Sequence, residues 1–333
     1  MKLEEIGEFG FIERFKPWFN GLVQETQVGI GDDCAIIPID DEKDLLVTTD
    51  LLLEDVHFLR EAITPEQLGY KSLAVNLSDI AAMGGIPICS FLSIAIPSDI
   101  DVEYLDAFMK GYQKLSAKYK TPLLGGDTTK SPKHLVINVC IIGNCSKGKA
   151  RRRNMALADD AVCVTGYLGD SAGGLQAILN KLKPSPYCTY LLNKHRLPKP
   201  LLSEGQFLAG FSGVHAMMDI SDGIGSDLNH ILNSSGVAAN INLDWLPISE
   251  QLAGVASRQG WDVIELSVGG GEDYELLLTI AADELATIQK EFQKKFKKPI
   301  VQIGTIIQKS PCIKWFRSGK EVNINIKGFN HFQ

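Results

Sequence analysis

Side-chain oxygens recur in this chain at places where glycine lets the backbone bend tightly. The two densest segments are Met218-Asp-Ile-Ser-Asp-Gly223 and Gly269-Gly-Gly-Glu-Asp-Tyr-Glu275. Gly31-Asp-Asp33, Thr48-Thr-Asp50, Asn76-Leu-Ser-Asp79 and Gly125-Gly-Asp-Thr-Thr129 repeat the theme at the ends of apolar runs. Mg²⁺ is a hard cation that takes oxygen ligands, usually one or two carboxylates completed by phosphate oxygens and water. One ion therefore needs few aspartates, and several ions need many. Asp33, Asp50, Asp79, Asp127, Asp219 and Asp222 are the candidates. Any one of them has an ordinary alternative as a helix N-cap or turn former, but together they favour a site for metal and phosphate.

In an extended strand Thr48 and Asp50 share one face, while Thr49 points the other way and keeps a carbonyl for coordination. The sequence predicts that this strand ends there. Asp219 and Asp222 are three residues apart around Ser221, just before a helix expected from Gly223, whose free N–H groups suit phosphate oxygens; Asp222 as that helix's N-cap is a compatible reading. His57 on its own reads as a structural histidine. Arg151-Arg-Arg153 reads either as a solvated linker or as the source of one phosphate-binding guanidinium.

Other chemistries are excluded. No G-x-x-x-x-G-K-[ST] segment and no strand-linked G-x-G-x-x-G is present, so a nucleotide would not be held by a P-loop or a Rossmann turn. The protein-kinase set is missing too. A formal charge of −7 argues against a nucleic-acid surface. Seven scattered cysteines without a C-x-x-C pair indicate neither a zinc cage nor a disulfide framework, and point to the reducing cytoplasm. The first residues lack the pattern of a signal peptide, and no apolar run reaches ~18 residues, so a membrane span is not expected.

These residues need elements to carry them. The 333 residues suffice for two domains, and 45% hydrophobic with 22% charged residues is an ordinary globular balance. Short apolar strands alternate with helical patterns. Thr64-Pro-Glu66 starts a helix that Gly84-Gly-Ile-Pro87 stops; Leu73, Leu77, Ile80 and Ala81 form its apolar stripe, with Ser72, Asn76 and Asp79 on another face. Further strands are expected at 88–96, 161–165, 215–218 and 274–280, with helices from about 102, 223 and 283 and another opening after Gly169-Asp-Ser171. The basic, aperiodic stretch after Cys145 is the expected boundary, giving domains 1–148 and 149–333.

Taken in order, these segments resemble the thiamine-monophosphate kinase family. The resemblance is carried by Gly31-Asp-Asp33, Thr48-Thr-Asp50 with His57-Phe58, Asn76 to Asp79 with Gly84-Gly85, and Gly125-Gly-Asp127. Gly166-Tyr-Leu-Gly-Asp-Ser171, Met218 to Gly223, Gly270-Gly-Glu-Asp-Tyr274 and Gly328-Phe-Asn-His-Phe332 extend it over essentially the whole chain. The family sits in the aminoimidazole ribonucleotide synthetase-like superfamily. The resemblance implies an α/β N-terminal domain forming a dimeric β-barrel plus an α+β C-terminal domain. It implies metal ligands at Asp33, Thr48, Thr49, Asp50, Asp79, Asp127, Asp219 and Asp222, nucleotide contacts at Gly126, Asp127, Arg153 and Ser221, and substrate contacts at His57, Glu272 and Phe329. Phe329 stands where the family often has Trp.

The implied reaction moves the γ-phosphoryl group of ATP onto thiamine monophosphate, with several Mg²⁺ ions, in a cytoplasmic homodimer. Its nucleophile, a phosphate oxygen with a second ionisation near ~6, is already anionic, so no general base is expected. Rival readings remain. A selenophosphate synthetase would want a reactive Cys before Cys34, and the hydrogenase-maturation member a C-terminal Cys where this chain has Asn330-His-Phe-Gln333. A non-catalytic Mg-nucleotide sensor would bind without turnover.

Overall fold

The computed structural model describes residues 3–324. Its first unit runs α1 (Leu3–Asn20), β1 (Ala35–Pro38), β2 (Lys43–Leu53), α2 (Pro65–Ala82), β3 (Ile86–Ile96), α3 (Val102–Tyr119), β4 (Leu123–Lys130) and β5 (Val136–Ser146). The strands form one mixed sheet in the order β1-β2-β5-β3-β4. Helix α2 starts on a capping box: Thr64 accepts from the Gln67 N–H, and the Gln67 side chain reaches back to the Thr64 N–H. It stops where Gly84 turns at φ +69°. Both ends follow the sequence prediction.

Helix α2 is buried nearly all round, against β2 and β5 on one side and α3 on another. Gly111 of α3 allows that crossing, since a Cβ there would lie 1.8 Å from the Glu66 carbonyl oxygen. Leu46, Leu73, Leu77, Ile80, Phe108, Val139 and Ile141 make the core between sheet and helices. The opposite sheet face is only half covered, and all eight residues of the edge strand β4 are exposed.

The second unit contains β6 (Ala161–Val164), α4 (Asp170–Leu179), α5 (Pro186–Arg196), α6 (Leu202–Ala209), β7 (Val214–Asp219), α7 (Ile224–Ser235) and β8 (Ala238–Asn242). Then come α8 (Glu250–Gln259), α9 (Val263–Gly269), β9 (Leu276–Ile280), α10 (Leu285–Phe296), β10 (Val301–Ile307), β11 (Ile313–Arg317) and β12 (Lys320–Val322). Its sheet order is β12-β11-β8-β10-β6-β9-β7, mostly antiparallel. Strand alternation sends Val162, Val164, Met218 and Leu277 into one core and Cys163, Met217 and Leu278 into another. Strands buried on both faces read as continuous apolar runs, which is how these appear in the sequence.

Both sheets are open within the described residues of this chain. One expectation changes. Strand β2 does not end at Thr49: it stays paired with β5 as far as Leu53 opposite Val136, which places Thr48, Thr49 and Asp50 inside the strand.

Candidate active site

A cleft of about 1630 Å³ opens between the two units, lined by β2, α2, the ends of β7 and α9, and parts of α1, α4 and α5. On β2, Thr48 shares the α2-facing side with the buried Leu46 and Leu52, whereas Thr49 is exposed on the other. Asp79 sits one turn before the end of α2, where its Oδ2 accepts a short hydrogen bond from the Thr48 hydroxyl. One turn earlier, Asn76 accepts from the Asp50 N–H at 3.0 Å. The helix face expected to carry Ser72, Asn76 and Asp79 thus turns its last two residues toward β2.

The two acidic, glycine-bounded segments lie side by side. Ile220 N donates to Glu275 O at 2.9 Å, Tyr274 N to Ile220 O at 2.9 Å, and Glu272 N to Ser221 O at 2.7 Å. Glycine is required here: a Cβ on Gly271 would lie 2.4 Å from the Ser221 carbonyl oxygen. Glu272 and Tyr274 adopt φ of +64° and +49°, a left-handed backbone that costs non-glycine residues about 1–3 kcal/mol each and that clusters at functional sites. The result is one wall carrying Asp219, Ser221, Asp222 and Glu272.

At Asp219, carboxylates from the first unit converge on this wall. Asp33, Asp79 and Asp219 each offer an oxygen within 4.8 Å of the others. Burial, and then the Asp33 charge, push Asp219 up to about 8. Asp50 rises to about 6 through burial and Asp222, and Asp222 to about 6 through burial and Glu8. Burial drives Asp79 well above its ordinary value, with Asp50 and Asp219 adding to it. Arg153 answers them: its guanidinium donates a short bond to Asp33, and its backbone N–H reaches Asp32 at 3.3 Å. Even so, Asp33 Oδ2 and Asp219 Oδ2 are buried without a hydrogen-bond partner. Buried acceptors left unpaired are costly; an all-oxygen set with two orphaned carboxylate oxygens fits a hard divalent cation.

The far end of the cleft differs in character. Glu272 Oε2 accepts from Lys71 Nζ at 2.9 Å and stands 3.1 Å from His195 Nδ1. Burial alone would raise this carboxylate, but Lys71 and His195 hold it at about 2. His57 lies on the same cleft, its Nδ1 accepting from the Leu53 N–H at 2.9 Å. Phe58, Leu175, Leu179, Trp261 and Leu266 supply apolar wall. The cleft therefore has an anionic, metal-ready end and a mixed apolar end with an ionised carboxylate.

Comparison with known proteins gives the same picture. Residues 31–145 match the model of the AIR synthase related protein N-terminal domain, and residues 158–312 that of its C-terminal domain. The thiamine-monophosphate kinase of Buchnera aphidicola subsp. Schizaphis graminum is 39% identical over 330 residues, covering 98% of this chain and 99% of its own length. That of Escherichia coli (strain K12) is 35% identical over 328 residues, covering 98% of each. The chain belongs to the thiamine-monophosphate kinase family. In three dimensions it is similar to the structure of AaThiL complexed with AMPPCP and TMP, with a TM-score of 0.86 at 34% identity and 99% of both chains covered.

Of the residues that resemblance to the thiamine-monophosphate kinases singled out, Asp33, Thr48, Thr49, Asp50, His57, Asp79, Arg153, Asp219, Ser221, Asp222 and Glu272 all line the one cleft. Gly126 and Asp127 do not: they sit on the exposed edge strand β4, opposite Leu92 and Ser93 of β3. Phe329 lies outside the described residues. The basic stretch is not a solvated linker, because Arg151 donates to the carbonyls of Ala209 and Phe211 at 2.7 Å while Arg153 is drawn into the aspartate cluster.

Sequence reasoning missed Lys71, His195 and Asp227. Asp227 is buried on α7 and accepts from the Asp222 N–H at 3.2 Å, steadying the turn that carries Asp222. For Lys71 a signal existed: it stands eight residues before Asp79 within an apolar helix, which puts both on one face. For His195, on a polar helix far away in sequence, none did.

Proposed function

We propose that the protein transfers the γ-phosphoryl group of ATP directly to the phosphate of thiamine monophosphate, giving thiamine diphosphate and ADP, assisted by several Mg²⁺ ions. The observation that carries this is the meeting, in one cleft, of the oxygen cluster around Asp33, Asp79 and Asp219 with the ionised Glu272 at the other end. Two unit charges of like sign ~4 Å apart repel by about 4 kcal/mol at an effective dielectric of ~20, and phosphate against triphosphate brings several such pairs together. Cations must intervene. Bound Mg²⁺ would supply that charge neutralisation, and Asp33, Thr48, Thr49, Asp50, Asp79, Asp219 and Asp222 are the residues that would hold it.

Phosphoryl transfer then asks mainly for in-line positioning and charge stabilisation. Arg153 serves as counter-ion to Asp33 and Asp32; a bound metal would take over that role and leave the guanidinium, with Ser221, available to a nucleotide phosphate. His57 and Glu272 would contact the thiamine part, and Phe329 would face its cationic ring.

We assign the homodimer to the half-covered face of the five-stranded sheet and the edge of β4. Leu124 there is 64% exposed; Ile88 on the neighbouring β3 is 41% and Leu51 on β2 is 52% exposed. Sheets joined from two copies would form the barrel implied by the family resemblance, and any part of Gly126 and Asp127 in nucleotide binding depends on the copy seated at that edge. Gly126, at φ +153° and with 1.7 Å between a built Cβ and the Leu92 oxygen, keeps β4 tight against β3.

Exchanging Asp50 or Asp222 for Asn is expected to lower kcat by orders of magnitude with the fold intact, measured as thiamine diphosphate formed at saturating Mg²⁺. Near-normal turnover of either variant would remove the metal assignment.

A further inference from the structure

Helix α2 spans the cleft from one chemical end to the other. Lys71, Val75 and Asp79 recur every four residues and all line the cleft, so they stand in one row along the helix. Eight residues at a rise of ~1.5 Å separate Lys71 from Asp79 by about 12 Å along the axis. Asp79 belongs to the carboxylate cluster, and Lys71 reaches across to the other unit and grips Glu272. A burial of 1% relative exposure for a lysine is uncommon unless it is paired.

The grip is selective. Both polar partners of the Glu272 side chain, Lys71 Nζ and His195 Nδ1, meet the same oxygen, Oε2. Oε1 has no hydrogen-bond or ion-pair partner among the described residues, and the residue lines the cleft. The carboxylate beside His195 Nδ1 fixes that nitrogen as the N–H-bearing one, since a lone pair there would face an anion 3.1 Å away. The Ser171 hydroxyl, 3.0 Å from the same nitrogen, fixes the ring from the N-terminal turn of α4.

We infer that Lys71 and His195 are positioning residues for the phosphoryl acceptor: they anchor one oxygen of Glu272 so that the other meets a hydrogen-bond donor of the acceptor's ring. Helix α2 then sets the distance between that donor and the metal-bound phosphate. The acceptor class this selects carries a phosphate at one end and a donor-bearing, electron-poor or cationic ring roughly 12 Å away. This rests on the proposed reaction for the identity of the acceptor, but the anchoring itself rests on the geometry of α2, α5 and Glu272.

The test measures thiamine-monophosphate binding by calorimetry, together with steady-state KM for both substrates and thermal melting. The proteins compared are wild type, Lys71→Met, His195→Leu, His195→Asn, Glu272→Gln, and the first two changes combined with Glu272→Gln. Losing one hydrogen bond to a charged group predicts a roughly ten- to hundredfold weaker affinity for thiamine monophosphate in Lys71→Met and His195→Leu, with KM for ATP nearly unchanged. His195→Asn, whose amide N–H can take the place of Nδ1–H, is expected to recover most of the loss. In the Glu272→Gln background the Lys71 and His195 changes should add little, because they act through the carboxylate. His195→Leu and His195→Asn keep the test decisive if Lys71→Met does not fold.

Equal losses for ATP and thiamine monophosphate, no recovery by Asn, or full additivity with Glu272→Gln would overturn the anchoring. Wild-type protein that binds thiamine monophosphate but forms no thiamine diphosphate would overturn the proposed reaction alone. Absence of binding by the wild type would overturn both.

Discussion

Asp33, Asp79 and Asp219 are each ordinary aspartates whose meaning comes from being brought within 4.8 Å of one another. Arg153 offsets part of their repulsion, yet two of their oxygens stay buried and unpaired. On the proposed metal assignment, a bound divalent cation would offset the cost of these buried, unpaired oxygens. In chelator, Asp219→Asn is expected to melt no lower than wild type, because a neutral amide of the same shape replaces a carboxyl that burial and the Asp33 charge already push up to about 8. On adding Mg²⁺ at ~100-fold excess over its dissociation constant, wild type should gain about 2.7 kcal/mol per site and the variant clearly less. Equal Mg²⁺-induced shifts in thermal melting of the two proteins would contradict the cluster's role.

Helix α2 links the carboxylate cluster to Glu272, and it crosses α3 closely at Gly111. In a helix interior Ala is favoured over Gly by ~1 kcal/mol. At Gly111 the added Cβ would lie 1.8 Å from the Glu66 carbonyl oxygen, and backbone cannot yield as a side chain can, so overpacking at about 1–3 kcal/mol or more should win. Gly111→Ala is thus expected to lower stability in denaturant titration; a stabilised variant would mean that the helices separate freely. Much of α2 was legible in the sequence, because Thr64, Pro65 and Gly84 mark its ends chemically. The run of β2 past Thr49 was not, since its length is set by pairing with β5, remote in sequence. Likewise the carboxylates could be picked out one by one, whereas the Lys71–Glu272 pair spans 201 residues and depends on how the two units meet.

For the whole molecule, the two sheets have different surroundings. The seven-stranded sheet is covered by helices on both faces, but the five-stranded one leaves β4 exposed along its whole length. An uncovered edge with an apolar tip invites pairing with another chain. Light scattering of wild type is expected to give a dimer, and Leu124→Asp, which places a charge on that edge, should shift it toward monomer. A variant that remains as dimeric as wild type would move the interface elsewhere. The same measurement bears on Gly126 and Asp127, which lie on this edge and outside the cleft.

Whether the cleft joins two phosphates is tested by incubating the protein with ATP, Mg²⁺ and thiamine monophosphate and identifying the products by mass. Thiamine diphosphate and ADP in equal amounts are expected. ADP with inorganic phosphate and unchanged thiamine monophosphate would contradict phosphoryl transfer to thiamine monophosphate.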